Sequence, residues 1–201
     1  ALAQHWDKFC LDPAHPLNPQ AVFGRSAPLF LEIGFGNGDC LAHMAINHPQ
    51  YDYLGIEVHR PGVGHLLLKL HQQSSANARV FCHDAIEILE RCLPNACLSG
   101  VHLFFPDPWP KHKHHKRRIV QPAFLDLLAV KLLPGGYFHA ATDWEHYAHA
   151  MHKALSADQR FSNASVDGTF CERPDYRPLT KFENRGLRLG HGVWDLIFVM
   201  K

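Results

Sequence analysis

The chain predicts an α/β protein: a Rossmann-like, mostly parallel sheet with helices on both faces. Three observations carry that expectation. Short apolar runs alternate five times with helical patterns, an order that right-handed crossovers turn into a parallel sheet. A glycine turn, Gly34-Phe35-Gly36-Asn37-Gly38, follows the first run directly. Acidic residues then recur where later runs end, and ligands of such sheets sit beyond the carboxyl ends of the strands.

Residues 1–28 carry prolines at 13, 16, 19 and 28 and read as an irregular arm, with one helical turn at Pro19-Gln20-Ala21-Val22-Phe23. Trp6, Phe9 and Phe23 predict that this arm packs on the body, residues 29–201, which reads as one domain. Leu29-Phe30-Leu31-Glu32-Ile33 is the first buried strand. From Asp39 to Asn47, Leu41, Met44 and Ala45 mark a helix stopped by Pro49. Tyr53–Glu57 is a second strand, and Pro61–Gln73 a helix with proline near its start. Arg79–Cys82 and Ala85–Arg91 form the next strand and helix, then Val101–Phe105 and Pro122–Leu132. Pro134-Gly135-Gly136 predicts a turn before the strand Tyr137–Thr142 and the helix Trp144–Leu155. Val193–Val199 is a terminal strand.

With 201 residues, 46% of them hydrophobic, the chain is long and apolar enough to bury a core and is not a disordered segment. No apolar run reaches membrane-spanning length, and the N-terminus lacks a signal-peptide layout, so a cytoplasmic protein is expected. Six cysteines without a C-x-x-C pair fit free thiols in a reducing compartment. The net charge is only +1, yet Lys111, Lys113, Lys116, Arg117 and Arg118 hold five of the twenty cationic side chains. Without them the acidic residues outnumber the basic ones, so positive charge is gathered in one place, as in a patch that meets phosphates. His112, His114 and His115 lie in the same ribbon; no carboxylate or cysteine joins them at ligand spacing, and no metal site is expected. Protonation would add to the patch in mild acid.

Gly34, Gly36 and Gly38 permit a tight turn and close approach of a ligand. A nicotinamide fingerprint would need its third glycine at position 39, which is Asp39. Glu57 ends the second strand, where a carboxylate accepts both hydroxyls of a ribose. Asp84 follows the third strand as an acceptor for an adenine amine, or as a helix N-cap. Glu32 adds a third carboxylate just before the turn. Such a slot repels pyrophosphate and suits a cationic ligand. It resembles that of class I S-adenosylmethionine-dependent methyltransferases, which implies S-adenosyl-L-methionine as cofactor and a seven-stranded sheet with an antiparallel last strand.

Val101–Phe105 leads into Pro106-Asp107-Pro108-Trp109-Pro110-Lys111, where three prolines impose a stiff, non-helical path. Taken with Leu31–Gly38, Lys116-Arg117-Arg118, Ala141-Thr142-Asp143-Trp144, Thr180-Lys181-Phe182-Glu183-x-Arg185-Gly186 and Trp194-Asp195, these motifs closely resemble the bacterial tRNA (guanine-N7-)-methyltransferase family over nearly the whole chain. The resemblance implies cofactor contacts at Glu32, Glu57, Asp84 and Asp107, with Asp107 also catalytic. It implies substrate contacts at Lys111, Asp143, Thr180, Lys181, Phe182 and Glu183. Lys113, His114, His115, Lys116, Arg117 and Arg118 correspond to an RNA-contacting stretch, and the implied target is the variable-loop guanosine at tRNA position 46. Pro110, His112 and His114 depart from the family pattern.

Guanine N7 presents a lone pair and carries no proton, so its methylation needs no general base. Asp107 is then expected to accept hydrogen bonds and stabilise a cationic purine product. Asp143 either holds the guanine N–H edge or caps the following helix. Trp109 either stacks on a base or anchors the loop. A small-molecule methyltransferase would have no use for the basic ribbon, and a non-catalytic RNA-binding module none for the carboxylate-lined turn. The expected partner is tRNA, bound by a monomer or homodimer with no obligatory protein partner evident.

Overall fold

Side-chain caps or first-turn prolines mark several helix starts. The computed structural model describes residues 2–179, 183 and 192–201. Helix α1 (Leu2–Phe9) precedes α2 (Pro19–Phe23), which starts where Asn18 Oδ1 accepts the Ala21 N–H at 3.1 Å and ends at Gly24, φ +70°. Then come α3 (Asp39–Asn47), α4 (Arg60–Gln72), α5 (Ala85–Arg91), α6 (Pro122–Lys131) and α7 (Glu145–Ala157). α6 begins at Pro122 and α4 carries Pro61 as its second residue, first-turn positions where the missing N–H is no loss.

The strands are β1 (Leu29–Ile33), β2 (Asp52–Ile56), β3 (Ala78–Phe81), β4 (Leu98–Phe104), β5 (Leu132–Thr142), β6 (Phe161–Asn163) and β7 (Trp194–Met200). They form one sheet in the order β3-β2-β1-β4-β5-β7-β6. β1 to β5 pair in parallel, and β7 lies antiparallel to both β5 and β6. Two buried apolar clusters flank this sheet. One, with Leu31, Leu54 and Val101, packs α5, α6 and α7; the other, with Tyr53 and Val80, packs α3, α4 and Phe9 of α1.

Several details differ from expectation. α1 appears where an irregular arm is expected: Phe9 is wholly buried and Leu11 N–H donates to Val80 O at 2.8 Å. β6 is three residues long, too short to show a period. The expected turn at Pro134–Gly136 lies inside β5 as an irregularity: pairing jumps from Leu98–Leu132 to Gly100–Tyr137, with Gly135 at φ +78°.

β1 and β4 are neighbours although β2 and β3 lie between them in sequence. The chain leaves β1 toward one edge and β4 toward the other, so a crevice opens beyond their carboxyl ends. The glycine turn and the Asp107 turn border it.

Candidate functional site

Beyond β1, Gly34, Gly36 and Gly38 all take left-handed φ, between +56° and +71°, which side chains resist. The turn is secured from α4. A Cβ added at Gly62 would stand 2.2 Å from Gly36 O, so only glycine allows that helix to sit so close. Lys69 reaches back from α4 to Asn37 O at 2.8 Å and Asp39 Oδ1 at 2.5 Å. Glu57 Oε2 accepts the Gly36 N–H and its Oε1 the His59 N–H, both at 2.9 Å. Glu57 thus braces the glycine turn while each oxygen keeps a further lone pair to offer.

Glu32 is buried, and its Oε2 meets no hydrogen-bond partner among the described residues. Burial, with Asp39 and Glu57 nearby, pushes its carboxyl up to about 8. It lines a cleft of about 310 Å³ with Gly34, Gly36, Asp39, Phe104, Phe105 and Arg177 among its walls. A larger cleft, about 390 Å³, lies at the opposite end of the strands near Arg25 and Asn77 and contains none of these carboxylates. Asp84 is exposed and caps α5: its Oδ1 accepts from Ile86 N at 2.9 Å and Glu87 N at 3.1 Å.

Beyond β4, the Asp107 turn is strained at both ends. Phe105 has φ +52° and Trp109 φ +42°, left-handed conformations costing about 1–3 kcal/mol each for such residues. The Phe105 N–H donates to Ala141 O at 2.7 Å, which ties the turn to β5. Asp107 itself is exposed and makes no hydrogen bond to a described residue. The Arg117 guanidinium lies 4.9 Å from the Trp109 ring centroid, and His114 meets that ring edge-on at 5.9 Å.

The basic ribbon forms a 3₁₀ segment, His112–Arg117, rather than an open loop. Its period of three puts residues 112, 115 and 118 in one row. His112 and His115 rings lie 5.2 Å apart, His115 and His146 5.0 Å. Lys111, Lys113, Lys116 and Arg117 are exposed, and His114 partly so. That row runs from exposed His112 through half-buried His115 to Arg118, which is expected in the RNA-contacting stretch but is only 5% exposed. Burial and the neighbouring Arg118 lower the His115 pKa, so that side chain takes up a proton less readily than a free imidazole.

Asp143 does not cap α7, whose start has no side-chain cap; Thr142 Oγ1 instead accepts the Trp144 N–H at 3.2 Å. Thr180, Lys181 and Phe182 lie outside the described residues. Glu183, expected to touch substrate, is buried with both oxygens 2.8 Å from Arg177, Oε2 to Nη1 and Oε1 to Nη2. Arg177 also forks onto Asp195, with Nε to Oδ1 at 2.7 Å and Nη2 to Oδ2 at 2.8 Å. His139 Nε2 lies 2.7 Å from Asp195 Oδ1, and Tyr176 OH 2.8 Å from His139 Nδ1. Burial favours neutral His139, against the pull of Asp195. Burial alone would raise Asp195, but hydrogen bonds from His139 and Arg177 hold its carboxyl below the usual range.

The sequence reading missed Gly62, Arg177, His139 and the partnership of Asp195. Two polar residues inside the apolar strands β5 and β7 were the available signal for a buried pair.

Comparison with known proteins agrees with this geometry. A family model described as "Putative methyltransferase" matches residues 26–196. A 16S rRNA methyltransferase, KamB, superposes with TM-score 0.66 at 15% identity, covering 90% of this chain and 92% of that one. A 16S rRNA (adenine(1408)-N(1))-methyltransferase from Catenulisporales acidiphilia, crystallised with its cosubstrate SAM, gives TM-score 0.60 at 17% identity over 94% and 92% of the two chains. Fold and family match define the class as a methyltransferase with a Rossmann-like sheet. The tRNA (guanine-N(7)-)-methyltransferase of Methylococcus capsulatus is 56% identical over 98% of this chain and 86% of its own length. That of Alcanivorax borkumensis is 55% identical over 98% and 83%. The chain belongs to the tRNA (guanine-N(7)-)-methyltransferase family.

Proposed function

We propose that this protein transfers a methyl group from S-adenosyl-L-methionine to N7 of guanine in tRNA, at position 46 of the variable loop. One observation carries the reading. A carboxylate-lined cleft, an exposed carboxylate and an exposed basic ribbon converge on the crevice between β1 and β4.

The cleft fits a cationic methyl donor. Its buried Glu32 has an unpartnered oxygen, and a positive ligand group there would satisfy it and favour its ionised form. Glu57 and Asp84, each with acceptor capacity left, are the residues for the ribose and adenine. When bound, the donor supplies an electrophilic methyl on a sulfonium. The glycine turn gives close backbone approach to it, and Glu32 holds its charged end. Asp107 takes no proton from N7, which has none. It accepts hydrogen bonds from the methyl donor or the guanine N–H groups and offsets the positive charge of the N7-methylated purine. Lys111, Lys113, Lys116 and Arg117 hold the tRNA backbone in place, positioning rather than reading sequence. A tRNA substrate puts the protein in the cytoplasm.

The decisive experiment supplies methyl-labelled S-adenosyl-L-methionine and tRNA lacking the modification, then maps label by strand cleavage at 7-methylguanosine. Label at guanosine 46 is the expected result. Label on another base or on small molecules only would overturn the reading.

A further inference from the structure

Two buried arginines grip the strained turn that carries Asp107, one at each end. Arg177 lies over the Phe104 and Phe105 rings, 5.8 and 5.6 Å from their centroids, and is itself fixed by Glu183 and Asp195. Arg118 Nε donates to Pro108 O at 2.8 Å, one residue beyond Asp107. The far side of the Arg118 guanidinium rests on α7: Nη1 and Nη2 lie 3.3 and 3.2 Å from His146 Nδ1, and the group stacks 4.6 Å from the Tyr147 centroid. Tyr147 is 1% exposed, so this support is part of the core.

We infer that Arg118 is a positioning residue for methyl transfer, holding the Asp107 turn against α7 instead of contacting tRNA. A phosphate contact needs an accessible guanidinium. Arg117 next to it has one, whereas the planar group of Arg118 is enclosed between a carbonyl, an imidazole and a phenol ring. Pro108 has no N–H, so its carbonyl is the backbone handle by which the turn can be held at that residue. A strained turn keeps its shape only while its surroundings over-determine it, and Arg118 links the turn to a rigid helix. The inference rests on the tRNA methylation proposed above.

The test compares Arg118→Met and Arg118→Lys with Arg117→Met, reading kcat, KM for tRNA, and tRNA Kd as a function of salt. For both Arg118 variants kcat should fall on the order of a hundredfold, as a displacement of about an ångström in a reacting group produces. Their tRNA Kd and its salt slope should match the wild type. Arg117→Met should instead weaken binding and lower the salt slope by about 0.7–0.9. Lysine keeps the charge but lacks the planar fork, so Arg118→Lys should not restore kcat. Weaker tRNA binding with a shallower slope and intact kcat in Arg118→Met would overturn the inference, as would wild-type kcat in Arg118→Lys. Melting curves verify folding. If Arg118→Met does not fold, Arg118→Lys and His146→Ala decide: the latter should lose kcat severalfold at unchanged tRNA Kd, and wild-type kcat in both overturns the proposal. A wild type inactive on tRNA would sink the functional reading instead, and the salt slopes of the two arginine variants would still report which side chain meets RNA.

Discussion

A carboxyl group enclosed beside two other carboxylates is most stable with its proton on, and Glu32 is in that position. Its folded pKa, about 8, lies above the ordinary 4.5, so the folded state holds this proton more tightly than the unfolded chain. The resulting stability is fully present below about pH 4.5 and is lost as pH rises toward 8, at no more than about 1.4 kcal/mol per pH unit. Glu32→Gln should therefore flatten the fall in thermal stability between pH 5 and 8; a variant curve parallel to the wild type would contradict this. Added S-adenosyl-L-methionine should stabilise the wild type more at pH 8 than at pH 6. Asp107→Ala should cut turnover at least about a hundredfold with tRNA affinity nearly intact, read by single-turnover kinetics and filter binding. At this scale Glu32 and Asp107 were legible as candidates because an acid stands out beside a glycine turn or between prolines. Arg118 and Glu183 were not. A run of like charges does not say which member faces inward, and Glu183 finds Arg177 only after the chain has folded.

The elements matter through how closely they approach each other. α4 and the glycine turn meet backbone to backbone, so Gly62→Ala pushes a methyl into Gly36 O. The expected cost is about 1–3 kcal/mol of stability together with loss of donor binding, measured by melting and by calorimetric titration. Wild-type donor affinity in that variant would show that the turn tolerates displacement. In the ribbon, reversing the charges of Lys113, Lys116 and Arg117 should weaken tRNA binding steeply at low salt and flatten its salt dependence. Helices with caps or N-terminal prolines were readable to within a residue or two, since those signals are local. β6 was not, because three residues give no period and its place depends on pairing with β7.

Across the whole molecule, the alternation of strands and helices fixed the sheet and the end at which the proposed site lies. What it left out is the buried polar tie between β5, β7 and the segment before Glu183. Arg177, Glu183 and Asp195 are each 4% exposed or less. Removing one partner of such a cluster leaves uncompensated charge, so Asp195→Ala should cost about 3–5 kcal/mol in denaturant unfolding. A loss under 1 kcal/mol would mean that the site is open to water.

β7 also has a temporal meaning. Among the described residues it is the latest strand, yet it inserts between β5 and β6 instead of adding to an edge. A domain generally folds as a unit. Until residues 194–200 leave the ribosome, β5 has no outer neighbour and Arg177 lacks Asp195. A nascent chain can thus own every motif of the donor cleft and still be unable to hold the Asp107 turn in place. Competence for methyl transfer, as distinct from binding, then waits for β7.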